Sequence, residues 1–216
     1  MKKFILVAAW LPVVLFAIQA SAQRIQYGIK AGLNYSGINN YQKNIYQAFP
    51  ELPPGLTFDS KPYIKFHGGA FVRFTLTQKL ALQPEILYSQ QGYHFDSQFM
   101  NSTVDLYIRQ SYVNIPVLLQ YKLCKGLHVT AGPQLGILLK GELSANFQNL
   151  HETRDAKFKK TDLSLAFGAG YQLPVLPLGF YLRYTTGLNN INNDPNRDYT
   201  LRNQVAQAGV FYQFGK

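Results

Sequence analysis

Residues 112–139 read YVNIPVLLQYKLCKGLHVTAGPQLGILL, two alternating runs joined by the polar break Leu123-Cys124-Lys125-Gly126. In the first run Val113, Ile115, Val117, Leu119 and Tyr121 share one face, and Tyr112, Asn114, Leu118 and Gln120 share the other. In the second, Leu127, Val129, Ala131, Leu135, Ile137 and Leu139 oppose His128, Thr130, Gly132, Gln134 and Gly136. Period two over about 10 residues predicts two paired strands with one apolar face and one small or polar face. Each run is also long enough to cross a bilayer as a tilted strand, which takes about 9–11 residues. Such a hairpin cannot stand alone. It has to be repeated, and the medium that meets its apolar face decides the class of protein.

The hairpin is repeated. Ile25, Tyr27, Ile29, Ala31, Leu33 and Tyr35 alternate with Gln26, Gly28, Lys30, Gly32, Asn34 and Ser36. Further alternating runs start at Ile64, Leu80, Leu163, Phe180 and near Val205. With the opening hairpin the count is eight strands. The non-apolar faces are rich in Gly and Asn rather than in solvating charge, which suits a narrow barrel interior. Connections alternate long and short, with polar stretches predicted as loops at 37–63, 92–105, 140–161 and 189–198. Short periplasmic turns and long external loops are the pattern of outer-membrane barrels, and an even strand number returns both termini to the periplasm. That placement predicts an inner aromatic band (Tyr27, Phe74, Tyr121, Tyr171, Phe180, Tyr212, Phe214) and an outer one (Tyr35, Phe66, Tyr88), where amphipathic rings meet head groups. Pro84, Pro116 and Pro133 fall inside strands of a closed sheet with no free edge, and local bulges are expected there.

Residues 1–22 read as a signal peptide: Lys2 and Lys3, an apolar core over 4–18, and the small-residue site Ala20-Ser21-Ala22. The barrel domain is then 23–216. Without Lys2 and Lys3 the formal charge falls from +10 to +8. The export signal and the scattered basic residues argue against nucleic acid as a partner and favour an anionic lipid surface. The single cysteine, Cys124, excludes an intramolecular disulfide framework. The fold class expected is therefore all-β: an eight-stranded antiparallel transmembrane up-and-down β-barrel in the bacterial outer membrane.

Several stretches carry a family resemblance: YGIKAGLNYS (27–36), LALQPEILYSQQGY (80–93), SYVNIPVLLQYK (111–122), HVTAGPQLGILL (128–139), FGAGYQL (167–173) and VFYQFGK (210–216). They resemble the small PorT-like outer-membrane β-barrel family of the Bacteroidetes. The matches fall in six of the eight strands, so the resemblance covers the barrel frame. It implies an eight-stranded barrel in a Gram-negative organism. Some members of that group are associated with secretion of proteins carrying C-terminal signals.

Catalytic, cofactor and metal sites are not expected. The histidines His67, His94, His128 and His151 have no ligand spacing, and GxSxG, P-loop and HExxH motifs are absent from the sequence. His67, Ser89 and Glu85 supply residue types that a lipid-modifying barrel enzyme would need, without a spacing that singles them out. By the alternation Lys30, Lys65, Arg73 and Arg183 point inward with Glu85 and Asp162. Arg73 and Glu85 lie on one face of adjacent strands and are predicted to pair as a lumen ion pair. Lys157, Lys159 and Lys160 in the third long loop are candidates for contacting lipopolysaccharide phosphates. The role expected is non-enzymatic: structural, binding or envelope assembly through the external loops, with outer-membrane lipid, lipopolysaccharide and other envelope or secretion proteins as partners. The alternatives are a lipid- or lipopolysaccharide-modifying enzyme, a small pore and a secreted soluble barrel of lipocalin type.

Overall fold

The computed structural model describes residues 25–38, 59–61, 63–99, 102–147, 150–155, 158–193 and 200–214. The expected signal peptide, most of the expected first long loop and Lys157 lie outside them. The strands in chain order are β1 (Ile25–Ile38), β2 (Asp59–Lys61), β3 (Tyr63–Thr75), β4 (Leu80–Phe99), β5 (Ser102–Lys122), β6 (Leu127–Phe147), β7 (Leu150–Asp155), β8 (Thr161–Gln172), β9 (Leu178–Gly187) and β10 (Asn203–Phe214). Eight of them form a ring of antiparallel neighbours, β1-β3-β4-β5-β6-β8-β9-β10, and β10 returns to β1 with Tyr27 opposite Phe214. Closure leaves no edge along the wall, the condition for an antiparallel sheet to live in hydrocarbon. The short strands β2 and β7 pair with the far ends of β4 and β6.

Parity decides burial as the sequence predicts. On β1 Lys30 and Asn34 are buried while Ile29 and Leu33 are more than half exposed. The same holds on β9, where Arg183 is buried between exposed Leu182 and Tyr184. The exterior thus carries a continuous belt of Ile, Leu, Val and aromatic side chains, far beyond what a soluble monomer exposes. The expected aromatic bands sit on this exterior: Tyr27 stacks on Phe214 with ring centroids 5.7 Å apart, and Phe66 lies 6.0 Å from Tyr88 at the opposite end.

Two expectations are corrected. The stretches 92–105 and 140–161 are for the most part not loops. β4 and β5 continue as a ribbon to Phe99 and Ser102, with Gly92 opposite Arg109 and Phe95 opposite Leu106, and β6 continues to Phe147 against β7. Their period-two signal fades because, beyond the belt, no lipid requires an apolar outer face. The inward parity of β4 still persists through buried Tyr93 and Phe95. Nor do the strand prolines sit in bulges. Beside Pro84 the β3–β4 ladder loses two pairs, yet Phe71 opposite Glu85 and Phe74 opposite Leu82 keep one register. Pro116 and Pro133 do the same on the β4–β5 and β5–β6 flanks. Each proline interrupts the ladder on one flank and stays paired on the other, Pro84 with Val117, Pro116 with Gln134 and Pro133 with Leu165. A missing donor therefore costs local bonds without a slip. The register shift lies elsewhere, between Ser111 and Tyr112, where the wall passes into the ribbon.

The three tight connections, 76–79, 123–126 and 173–177, lie at one end. In the second, Gly126 adopts φ 83°, a conformation side-chain-bearing residues avoid, and a Cβ there would also meet the Tyr171 ring at 3.0 Å.

Candidate functional site

The lumen is built in layers by inward residues. In the lower layer three aromatic rings, Phe71, Tyr181 and Phe211, form a buried cluster, with Phe71 and Phe211 edge-to-face at 6.0 Å and 86°. Each ring lies over a glycine directly opposite on the neighbouring strand: Phe71 over Gly28, Tyr181 over Gly209, Phe211 over Gly179. His128 lies over Gly170 in the same way. The Gly-rich inward face thus has a definite use: it gives bulky rings room to lie across the wall and fill a narrow cylinder.

Beside them sits Glu85, directly opposite Phe71 on the neighbouring strand. Its Oε1 accepts from Lys30 Nζ at 3.1 Å, Arg183 Nη2 at 2.8 Å and Gln83 Nε2 at 2.7 Å, and its Oε2 accepts from Arg183 Nη1 at 2.8 Å. The side chains of Lys30, Glu85 and Arg183 are 4, 0 and 3 % exposed. Burying such charges is tolerable only when geometry and hydrogen bonding are both good, and here they are. Lys30 Nζ also stands 3.9 Å from the Tyr181 ring centroid, and the Tyr181 hydroxyl is hydrogen-bonded to His67 Nε2.

The predicted Arg73–Glu85 pair is corrected. Both side chains are buried in the lumen, but register places Arg73 at the level of Gln83, not Glu85. Arg73 Nε donates to Gln83 Oε1 at 2.9 Å and Nη1 to Gln213 Oε1 at 2.8 Å. Gln83 then relays to Glu85. The carboxylate's ionic partners come instead from β1 and β9, across the lumen. Alternation could identify which charges point inward, but not which of them meet.

Nearer the long-ribbon end, Asn34 Nδ2 donates to Ser89 Oγ at 3.0 Å, and its Oδ1 accepts from Gln207 Nε2 at 2.8 Å. Beyond that, Asp162 Oδ2 accepts from Asn203 Nδ2 at 2.8 Å, and Asn203 also bonds Tyr93 and Tyr112. Asn203 has no counterpart in the sequence expectations, and Tyr112 is expected only on the polar face of its strand, because an inward Asn or Tyr resembles any other until the ring closes. Lys65 is half-buried, with its ammonium 4.3 Å from the Tyr63 ring centroid.

The free space among Lys30, Arg73, His128 and Arg183 is about 20 Å3, room for about one water molecule. His67 and Ser89 are directly opposite each other on β3 and β4 and fully buried. His67 Nε2 is committed to Tyr181 and Ser89 Oγ to Asn34 and Gln91. Among the described residues no group of three or more His, Cys, Asp or Glu side chains is placed to hold a metal ion. Lys159 and Lys160 are exposed beside the bridge between Phe158 and Asn192 at the long-ribbon end.

Among solved structures the chain is similar to Ail, the attachment invasion locus protein of Yersinia pestis. The identity is 14 % and the TM-score 0.46, over 88 % of this chain and 98 % of that one. It is also similar to Neisserial surface protein A, at 9 % identity and TM-score 0.41, over 90 % and 100 % of the two chains. No curated protein sequence matches it. A family model described as outer membrane protein beta-barrel domain matches residues 18–193 of the 216. The closed eight-strand ring with its apolar belt agrees with that match: the chain belongs to the outer membrane protein beta-barrel domain family and is a protein of the bacterial outer membrane.

Proposed function

We propose that this protein is a non-enzymatic outer-membrane barrel that works through its outer ribbons, as a binding or envelope-assembly component. The observation that carries this reading is the plug. Glu85, Lys30 and Arg183 interlock across the lumen and leave about 20 Å3 free beside them. A conduit needs a continuous aqueous path, and this layer supports none. An enzyme needs an accessible nucleophile with its base, whereas His67 and Ser89 are buried and hydrogen-bonded elsewhere. What reaches water is the long ribbon of β4, β5, β6 and β7. Rigid scaffolds commonly carry their binding residues on such projections.

In this reading the short turns and both termini face the periplasm and the ribbons face outward. Lys159 and Lys160 then stand near lipopolysaccharide phosphates. Lys157, the third member of the predicted loop contact, lies outside the described residues. A link to secretion, which the likeness to PorT-like barrels implies, is a finer version of the assembly role.

The deciding experiment is native extraction of the envelope complex, with identification of what co-purifies before and after truncation of the ribbon beyond Gln91 and Gln110. Loss of a specific protein partner on truncation supports the reading. Conductance steps from the wild-type barrel in planar bilayers, or altered lipid A on substitution of His67 and Ser89, would replace it with the pore or the enzyme. Unchanged secretion of proteins with C-terminal signals in a deletion strain removes the secretion link alone.

A further inference from the structure

The end of the barrel with the short turns opens into a vestibule of about 340 Å3. Arg73 and His128 form its floor, Lys79 and Lys122 its rim, and none of the residues lining it is acidic. Among the described residues, neither rim lysine has a carboxylate within ion-pair distance.

The floor is preorganised. Arg73 is buried, and its guanidinium is held at two of its nitrogens, Nε by Gln83 and Nη1 by Gln213. The Gln83 amide cannot turn over, because its Nε2 donates to Glu85 Oε1 at 2.7 Å and a carboxylate only accepts. Phe71 and Phe211 flank the guanidinium, with centroids 5.4 and 5.9 Å from Cζ. Nη2 has no hydrogen-bond partner among the described residues, and Arg73 lines both the small inner cavity and the vestibule.

Charge points the same way. In the lower lumen Lys30, Arg73 and Arg183 share one carboxylate, Glu85, and Asp162 lies a layer away on Asn203. The two ionic contacts of Glu85 are with Lys30 and Arg183, so Arg73 is a buried cation held by neutral amides and rings. An isolated buried charge is costly. A fixed guanidinium edge facing a basic vestibule is what a carboxylate or phosphate binds most strongly.

We propose that the vestibule is a binding site for a small oxyanion, a phosphate or carboxylate group, which the free edge of Arg73 grips and Lys79 and Lys122 draw in. The site belongs to the barrel itself and stands apart from the role of the ribbons. The test is a titration of isotope-labelled protein, folded in uncharged detergent, with inorganic phosphate in one arm and acetate in the other. The expected result is saturable amide shifts around Gly126, His128 and Gln213. Saturation by phosphate alone assigns a tetrahedral oxyanion, by acetate alone a carboxylate.

Arg73→Gln is expected to weaken binding about tenfold or more, since charged hydrogen bonds are the strong ones. Lys79→Gln with Lys122→Gln is expected to weaken it about two- to fivefold, in a salt-dependent way. Lys159→Gln with Lys160→Gln, at the far end, is expected to leave it unchanged. If Arg73→Gln does not fold, Arg73→Lys, which keeps the charge and loses the fork, takes its place with the same direction of effect. Absence of saturable shifts, equal affinity in the Arg73 variant, or equal loss from the far-end lysines overturns the proposal.

Discussion

Arg183 clasps Glu85 with both terminal guanidinium nitrogens, Nη1 to Oε2 and Nη2 to Oε1, each at 2.8 Å across 98 residues of sequence. The two side chains come from β9 and β4, which are not neighbours in the wall. Their contact therefore spans the lumen and ties opposite sides of the cylinder together. The third member, Lys30 on β1, completes a knot in which two buried cations share one carboxylate.

Removing the carboxylate is the severest change available to the plug. Glu85→Gln leaves Lys30 and Arg183 buried without a counter-charge, and breaking a buried pair from one side costs about 3–5 kcal/mol. Urea titration of the folded barrel in lipid vesicles should show that loss as a lowered midpoint. Asp162→Asn is expected to be near neutral or stabilising by the same assay, because Asp162 has amide rather than cationic hydrogen-bond partners.

The ring-over-glycine arrangement predicts coupling. A Cβ on Gly170 would sit 2.5 Å from His128 Nε2 and 2.8 Å from Cε1. Gly170→Ala should then cost about 1–3 kcal/mol by overpacking. In a His128→Ala background the cost should fall sharply. A double-mutant cycle on unfolding midpoints reads the difference, and strict additivity would mean that the ring and the glycine do not compete for space.

Above the belt, Lys140 Nζ stands 2.6 Å from Glu142 Oε1. The Lys140 hydrogen bond, followed by the charges of Lys140 and Arg109, holds the Glu142 carboxyl below the usual carboxylate range. A carboxyl depressed in the folded state contributes stability above its unfolded pKa and loses it as pH falls through the folded value. Protection factors in the ribbon, corrected for the intrinsic pH dependence of amide exchange, should therefore fall modestly as pH drops below about 4. Glu142→Gln should flatten that dependence. The effect is small, as for exposed pairs generally.

Orientation has a direct readout in Cys124, which is exposed in the tight turn 123–126. With the short turns in the periplasm, a membrane-impermeant maleimide should leave Cys124 unlabelled on intact cells and label it once the outer membrane is permeabilised. Lys159→Cys, in a Cys124→Ser background, should label on intact cells. The reverse pattern inverts the proposed topology.

The amino-acid sequence by itself determined the wall. Alternation such as that of Ile25, Tyr27 and Ile29 against Gln26, Gly28 and Lys30 depends only on the pleat, so both faces, the strand count and the aromatic bands were legible without coordinates. Inward placement of Lys30, Arg73, Glu85, Asp162 and Arg183 followed from the same parity. The ribbons were not legible, because period two is enforced by lipid and lapses once β4 passes Gln91 into water. The prolines keep the register instead of bulging, and an interrupted ladder with intact register leaves no trace in the sequence. What only the tertiary structure decided is which charges meet. Glu85 finds Lys30 and Arg183 rather than Arg73 because partnership across a lumen depends on closure, stagger and diameter of the cylinder, and these are properties of eight strands together that no single strand carries.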